Sequence, residues 1–302
     1  MFEQTSTQRS LYILDGSGYV FRAYYGMPEL TDMQWRPVHA VYWFFRMVCA
    51  LLVKKPSEFV IAWDAWSKTI RKDNYEDYKA NRTSMPVEFK RQMKTIKEIT
   101  DRIGRGSYQV SWYEADDIIA TVAKQAATQD RTVTIVSSDK DLKQLITQQI
   151  EQYDAMKDIT TSLASFREIY GYEPTSLLDY LSLVWDASDN VPWVPGIGKK
   201  TAEKLILEYW TLEAIYENLQ QIWWAVAKKL EEWKDKGLLS KELITLYEVP
   251  DLHYNAGEFT CTYDYEKMKS ILIDEYKFTS LEKHLDRLKN QRQWGEQLWL
   301  FW

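Results

Sequence analysis

Glycine is scarce in this chain of 302 residues: 11 glycines stand against 14 tryptophans. Ordinary usage of roughly 7% would give about 21, so turns that need a residue without a side chain are short of one. Two cysteines (Cys49, Cys261) and three histidines (His39, His253, His284) are scattered without zinc-ligand spacing. That scatter argues against a zinc site and a disulfide framework, and fits a reducing cytoplasm. No apolar run approaches the roughly 18 residues that span a bilayer, and no N-terminal stretch has the order of a signal peptide, so no membrane partner is expected. A basic excess is missing too: 38 Lys and Arg face 44 Asp and Glu, a net charge of −6. Taken alone, that balance argues against a nucleic-acid partner. A hydrophobic content of 45% is enough for a real core, in one large domain or two modest ones.

What the chain does have is clustered acid. Asp15, Asp64, Glu114, Asp116, Asp117, Asp139, Asp141, Asp186 and Asp189 each follow or adjoin an apolar, β-rich run or a turn. In a parallel α/β sheet those are the carboxyl ends of strands, where sites form. So many carboxylates in one cleft could not all stay ionised without divalent cations. An all-oxygen set suits Mg²⁺ or Mn²⁺, and two such ions are the usual apparatus for phosphodiester cleavage. The nine acids also exceed the net charge deficit, so local distribution outweighs the overall balance.

Leu11 to Leu14 predicts a strand ending in Asp15-Gly16-Ser17, and Phe59 to Trp63 a second ending in Asp64. Helical spacing over about Val38 to Lys54 between them implies a parallel unit. Val87 to Ile103 reads as helix. Tyr113 to Asp117 opens another, with Glu114 and Asp117 on one face; capping of the first turn is the competing role for any one of these acids. Thr132 to Val136, the most β-branched run, leads into Ser137-Ser138-Asp139-Lys140-Asp141. After about Ser165 the composition turns helical.

Two segments point to nucleic acid. KTIRKDNYEDYKANR interleaves basic and aromatic residues just after Asp64, which suits gripping a single strand as well as it suits a solvated helix face. Pro195 to Ala202, PGIGKKTA, places a glycine turn before a helix N-terminus, either a phosphate grip or a generic turn between helices.

As an ordered set, LDGSGYVFRAYY, AWDAWSKTIRK, YKANR, YEADD, SSDKDLKQL, DASDN and VPGIGKKTAEKL resemble the 5′-3′ exonuclease and flap endonuclease family over about residues 10 to 290. The type is that found in bacteria as the N-terminal domain of DNA polymerase I and as small stand-alone proteins. The resemblance implies a PIN-like α/β fold: a central, mostly parallel sheet flanked by helices, with a helical arch and a C-terminal helical region containing a helix-hairpin-helix. It divides the chain into a nuclease domain at 8–165 with the arch at about 67–90, a helical DNA-binding domain at 166–290 with the hairpin at about 190–208, and a tail at 291–302. It places Asp15, Asp64, Glu114, Asp116 and Asp139 around a first metal and Asp141, Asp186 and Asp189 at a second, with Asp117 between or in the outer shell. Lys79 and Arg82 match arch residues that offset charge on the phosphate. Arg71 and Tyr78 lie in the same segment, and Arg22 is expected on DNA. Gly196, Gly198, Lys199, Lys200 and Thr201 match the hairpin that holds duplex phosphates, with a bound K⁺. The implied activity is metal-dependent cleavage of DNA, and of RNA primer, at 5′ flaps, nicks and free 5′ ends, by a cytoplasmic monomer in replication and repair.

Gln297-Leu298-Trp299-Leu300-Phe301 looks like the peptide by which bacterial repair proteins dock on the sliding clamp, with Gln297, Leu298, Leu300 and Phe301 as its contacts. A tail folded back on its own domain is the competing reading. The ending also favours a stand-alone form. A structure-specific DNA binder that does not cleave is the rival function, and nine retained, mutually repulsive acids argue against it. A PIN-like RNA nuclease would lack the PGIGKKTA segment.

Trp35, Trp43, Trp112, Trp185, Trp193, Trp210, Trp224 and Trp233 stand where the family carries glycine. Eight independent replacements of that kind would be costly. The expectation is that the gene uses UGA for glycine at these positions; UGG codons there would refute it. Trp63 fits its strand, while Trp66, Trp223, Trp294, Trp299 and Trp302 are assigned to neither group.

Overall fold

The computed structural model describes residues 9–82, 84–184 and 189–289. Six strands, β1 (Ser10–Asp15), β2 (Glu58–Trp63), β3 (Gly106–Gln109), β4 (Thr132–Val136), β5 (Ile150–Asp154) and β6 (Ile159–Thr161), form one sheet in the order β3-β2-β1-β4-β5-β6. All pairings are parallel except β5 with β6. The chain steps outward from β1 first to β2 and then to β4, so the carboxyl ends of these three strands flank a topological switch, where α/β sheets open a crevice.

Alternation along the strands builds two layers. Leu14, Phe59, Ile61 and Trp63 face helices α1 (Gly16–Tyr25), α2 (His39–Val53) and α4 (Val87–Arg102), while the short α3 (Ile70–Asn74) precedes α4 in the chain. Leu11, Ile13, Val60 and Ala62 face α5 (Ala115–Thr128) through Ile118, Ile119 and Val122. A third core, around Phe166, Leu183, Ile206 and Leu230, joins α6 (Leu163–Tyr170), α7 (Leu177–Leu183), α8 (Lys199–Tyr209), α9 (Leu212–Glu217), α10 (Trp224–Glu232) and α11 (Lys234–Ile244).

The strands and helices read from the sequence are present, within a residue or so at each end. Two segments are drawn more finely by the structure. Of the segment expected as a helical arch, only α3 is helix before α4 begins; Tyr75 to Arg82 form turns. Charges of mixed sign leave that stretch without a continuous apolar stripe, and Lys79 adopts φ 55°. Residues 249–288, expected in the helical DNA-binding domain, return to the sheet. Val249, Leu252 and Tyr254 join the α5 layer, and Met268, Leu272, Leu281 and Leu285 join the α2 layer. Their apolar side chains meet a face of the sheet domain that would otherwise be exposed, and a bridge from Thr260 to Glu58 pins the return.

Candidate active site

Three of the acidic side chains, Asp15, Asp64 and Asp139, are fixed by hydrogen bonds at the ends of their strands. At the end of β1, Asp15 Oδ1 accepts from Gly18 N at 2.8 Å, and Oδ2 accepts from Ser137 Oγ at 2.9 Å. Only glycine fits at position 18, where a Cβ would lie 2.2 Å from Asp15 Oδ2. After β2, Asp64 N donates to Ser17 Oγ at 2.8 Å, and its Oδ1 accepts from Ala115 N at 2.7 Å, on the N-terminus of α5. Beyond β4, Asp139 N donates to Ser137 Oγ at 3.0 Å, and Asp139 Oδ1 accepts from Asp141 N at 2.9 Å. Ser137 thus ties the ends of β1 and β4 together.

These elements open into one cavity of about 830 Å³, lined by Asp15, Asp64, Asp116, Asp139, Asp141 and Asp189 together with Arg22, Lys79 and Arg82. Burial, reinforced by Asp64 and Asp139, pushes the Asp15 carboxyl up to about 7. Burial also raises Asp139, and Asp116 well above the carboxylate range, with neighbouring carboxylates adding to both. A set that resists ionisation on its own is one that a divalent cation would stabilise.

Among the described residues no group of three His, Cys, Asp or Glu side chains stands close enough to enclose an ion. Mg²⁺ keeps several waters and binds through one or two carboxylates, so an open, all-oxygen cleft fits a hydrated hard ion. The cations already there are protein groups. Lys79 Nζ donates to Glu114 Oε2 at 2.9 Å and lies 3.7 Å from Asp189 Oδ2. Arg82 Nη2 bonds Asp189 Oδ1 at 2.5 Å. The backbone joins in, since Lys79 N donates to Asp189 O at 2.9 Å and Asn190 Nδ2 to Asp77 O at 2.8 Å.

Three expected site residues are buried away from the cavity surface. Asp117 is 1% exposed, accepts from Glu114 N at 3.1 Å and takes two bonds from Arg71, so it caps α5 and anchors an arginine behind the cleft, a place compatible with the outer shell expected for it. Arg71 is buried, with its remaining bonds to Glu114 and the carbonyls of Leu243 and Thr245, which leaves it no surface to offer DNA. Tyr78 is buried as well, its hydroxyl on Glu114 at 3.1 Å. Basic and aromatic interleaving was visible in the sequence; the direction of each side chain was not. Glu114 itself lies beneath the cleft. Burial would raise its carboxyl, but Lys79 and Arg71 outweigh that and hold it low.

The hairpin residues form a separate surface. Gly198 is the N-cap of α8, Lys199 and Lys200 are exposed, Thr201 is half-buried, and Gly196 has φ 83° with its carbonyl accepting from Lys229 Nζ at 3.2 Å. Asp186, Trp185 and Gln297 to Phe301 lie outside the described residues.

Lys97 was not anticipated. It shares a face of α4 with Phe89 and Met93, lines the same cavity, and donates to Gln109 Oε1 at 2.6 Å. Burial pushes its ammonium down to about 8, with Asp64 opposing. A cation four residues beyond Met93 on an apolar stripe was the available signal. Ser17 and Ser137 were likewise present in the quoted motifs without an assigned role.

Comparison with known proteins agrees with this geometry. Residues 10–171 match the family model of the 5′-3′ exonuclease N-terminal resolvase-like domain, and 172–267 that of the 5′-3′ exonuclease C-terminal SAM fold. The chain is 35% identical to the 5′-3′ exonuclease of Aquifex aeolicus over 94% of its own length and 97% of the relative's. It is 36% identical to DNA polymerase I of Bacillus subtilis over 79% of its length, spanning 28% of that longer protein. Its fold superposes on the bacteriophage T5 flap endonuclease, solved in a pseudo-enzyme–product complex with DNA and metal ions. The TM-score is 0.66 at 18% identity, with 93% of this chain and all of the other covered.

Proposed function

The chain belongs to the 5′-3′ exonuclease family, and we propose that its acidic cleft is the centre at which DNA phosphodiesters are hydrolysed, at free 5′ ends and at 5′ flaps. The observation that carries the reading is the convergence of Asp15, Asp64, Asp116, Asp139, Asp141 and Asp189 with Lys79 and Arg82 in one cavity. Those carboxylates, with Asp186, would hold two ions, Mg²⁺ or Mn²⁺. When bound, divalent ions supply an activated water and offset charge at the scissile phosphate.

The protein's own groups do the rest. Gly18 and Ser137 hold Asp15 to one orientation, and Ser17 and the α5 N-terminus hold Asp64. Lys79 and Arg82, now paired with Glu114 and Asp189, are within reach of phosphoryl oxygens entering the cleft, where they would stabilise developing charge. Arg22, on the cavity wall, would meet a flanking phosphate. The duplex would rest on the exposed start of α8, where backbone N–H groups, Lys199, Lys200 and Thr201 face phosphates and K⁺ binds near Gly196 and Gly198. Recognition of this kind reads structure and not sequence. RNA primers, a sliding clamp held by Gln297, Leu298, Leu300 and Phe301, and a monomeric state complete the proposal. So does a division into a nuclease domain at 8–165, a helical DNA-binding domain at 166–290 and a tail at 291–302. Among the described residues no helix is long and apolar enough to cross a membrane.

The test is cleavage of a 5′-labelled flap duplex with Mg²⁺, with EDTA, and by the Asp139→Asn variant. Cleavage lost in the last two supports the reading. A duplex that is bound but left intact under every condition would favour the rival, a binder that does not cut.

A further inference from the structure

Three tryptophans occupy backbone that tryptophan rarely takes. Trp35, Trp112 and Trp210 have φ of 60°, 74° and 69°, in the left-handed region. Glycine enters it freely, and Asp or Asn tolerate it through short polar side chains, as at Asp130, Asp158, Asn190 and Asp251; Lys55, Lys79 and Lys277, whose chains are unbranched, are the other described residues that take it. A bulky side chain there is an outlier.

Hydrogen bonds on both sides hold Trp35 and Trp112 in this conformation, and a bond back along the helix holds Trp210. Trp35 sits in a tight turn: its N donates to Asp32 O at 3.0 Å, Asp32 N donates to Arg36 O at 2.9 Å, and Asp32 Oδ1 accepts from Gln34 N and Arg36 N. Trp112 is held between Ser67 Oγ, which accepts its N–H at 3.3 Å, and Ile70 N, which donates to its carbonyl at 3.0 Å. Trp210 ends α8, its N donating to Ile206 O at 2.9 Å. The matching position at the end of α6 is filled by Gly171, with φ 72° and the same bond back, to Arg167 O.

The side chains contribute little in return. The three indoles are 85%, 51% and 51% exposed, whereas Trp63 is 2% exposed and stacks on Phe44. Of the eight positions singled out from the sequence, seven lie among the described residues, and these three of them have positive φ. Trp43 is an ordinary residue within α2, its indole N–H on Pro28 O.

We infer that the natural protein carries glycine at positions 35, 112 and 210, through UGA codons read as glycine, and that tryptophan there is a product of translating UGA as tryptophan. The codon UGA lies one base from the tryptophan codon UGG and one base from the glycine codon GGA, so a single reassignment accounts for all three. The inference does not depend on the nuclease reading.

Two experiments test it. Nucleotide sequencing of the gene, with mass spectrometry of peptides from the protein isolated from its own source, should show UGA and glycine at the three positions, and UGG and tryptophan at Trp63. UGG codons, or tryptophan in those peptides, would overturn it. In the chain carrying tryptophan, Trp35→Gly, Trp112→Gly and Trp210→Gly should each raise the melting temperature by roughly 2–4 °C over the matching alanine variants, because alanine shares the left-handed penalty. Glycine variants no more stable than the alanine ones would count against the inference, because the effect would then be only the loss of an exposed ring.

Discussion

Arg71 holds Asp117 through both arms of its guanidinium, with Nη1 and Nη2 each 2.7 Å from a carboxylate oxygen, and both side chains are almost wholly buried. The same arginine reaches the carbonyls of Leu243 and Thr245 at 2.7 Å, so one side chain joins α3, the start of α5 and the end of α11. Removing one partner of such a pair strands a buried charge. Arg71→Ala is expected to cost about 3–5 kcal/mol in denaturant unfolding. Arg71→Lys should recover only part of this, since an ammonium cannot make the bidentate bond.

Lys79 marks the opposite case, a charge positioned to change partners. Lys79→Met should lower the rate of flap cleavage by about 10²–10³-fold under saturating substrate, the scale of losing one charge-stabilising donor. It should also tighten Mn²⁺ binding in a calorimetric titration, because an ammonium 2.9 Å from Glu114 and 3.7 Å from Asp189 no longer competes there. Weaker Mn²⁺ binding would show that the lysine organises the carboxylates instead.

Without metal, the acids should make stability depend on pH. Asp15 is raised from 3.8 to about 7, and Asp116 and Asp139 are raised as well, so the folded state binds these protons more tightly than the unfolded state. Their stabilisation is complete below the ordinary carboxylate value and is lost as pH rises through the folded value. The melting temperature in EDTA should therefore fall between pH 5 and 8. Asp15→Asn should flatten that fall, and Mg²⁺ should flatten it in the parent chain.

Lys97 should act as a phosphate contact on the cavity wall. Lys97→Met is expected to weaken flap binding and to reduce the slope of log affinity against log salt by about 1, read from fluorescence anisotropy at several salt concentrations. An unchanged slope would confine this residue to packing against Gln109 and the neighbouring indoles.

Much of the site was legible because it follows strands of strong character. Thr132 to Val136 could hardly be anything but a buried strand, and the acid beyond it had to sit at a strand end. By contrast, β3 reads Gly-Ser-Tyr-Gln and β6 Ile-Thr-Thr, too short and too polar to declare themselves, and they exist because a neighbour offers an edge. Arg71 and Tyr78 show another limit. Their chemistry was read correctly as basic and aromatic, but burial depends on Asp117 and Leu243, far along the chain. The return of residues 249–288 to the sheet was hidden for the same reason, since a buried stripe does not say which surface it meets.

The dispersal of the site along the chain has a consequence for synthesis. Asp15, Asp64, Asp116, Asp139 and Asp189 arrive on separate segments, and Arg71 of α3 waits for Leu243 and Thr245. A partly made chain emerging from the ribosome therefore lacks the later carboxylates and the final anchor together. A fragment that ends before Asp189 is therefore expected to lack both a complete acidic cleft and the last tie on Arg71.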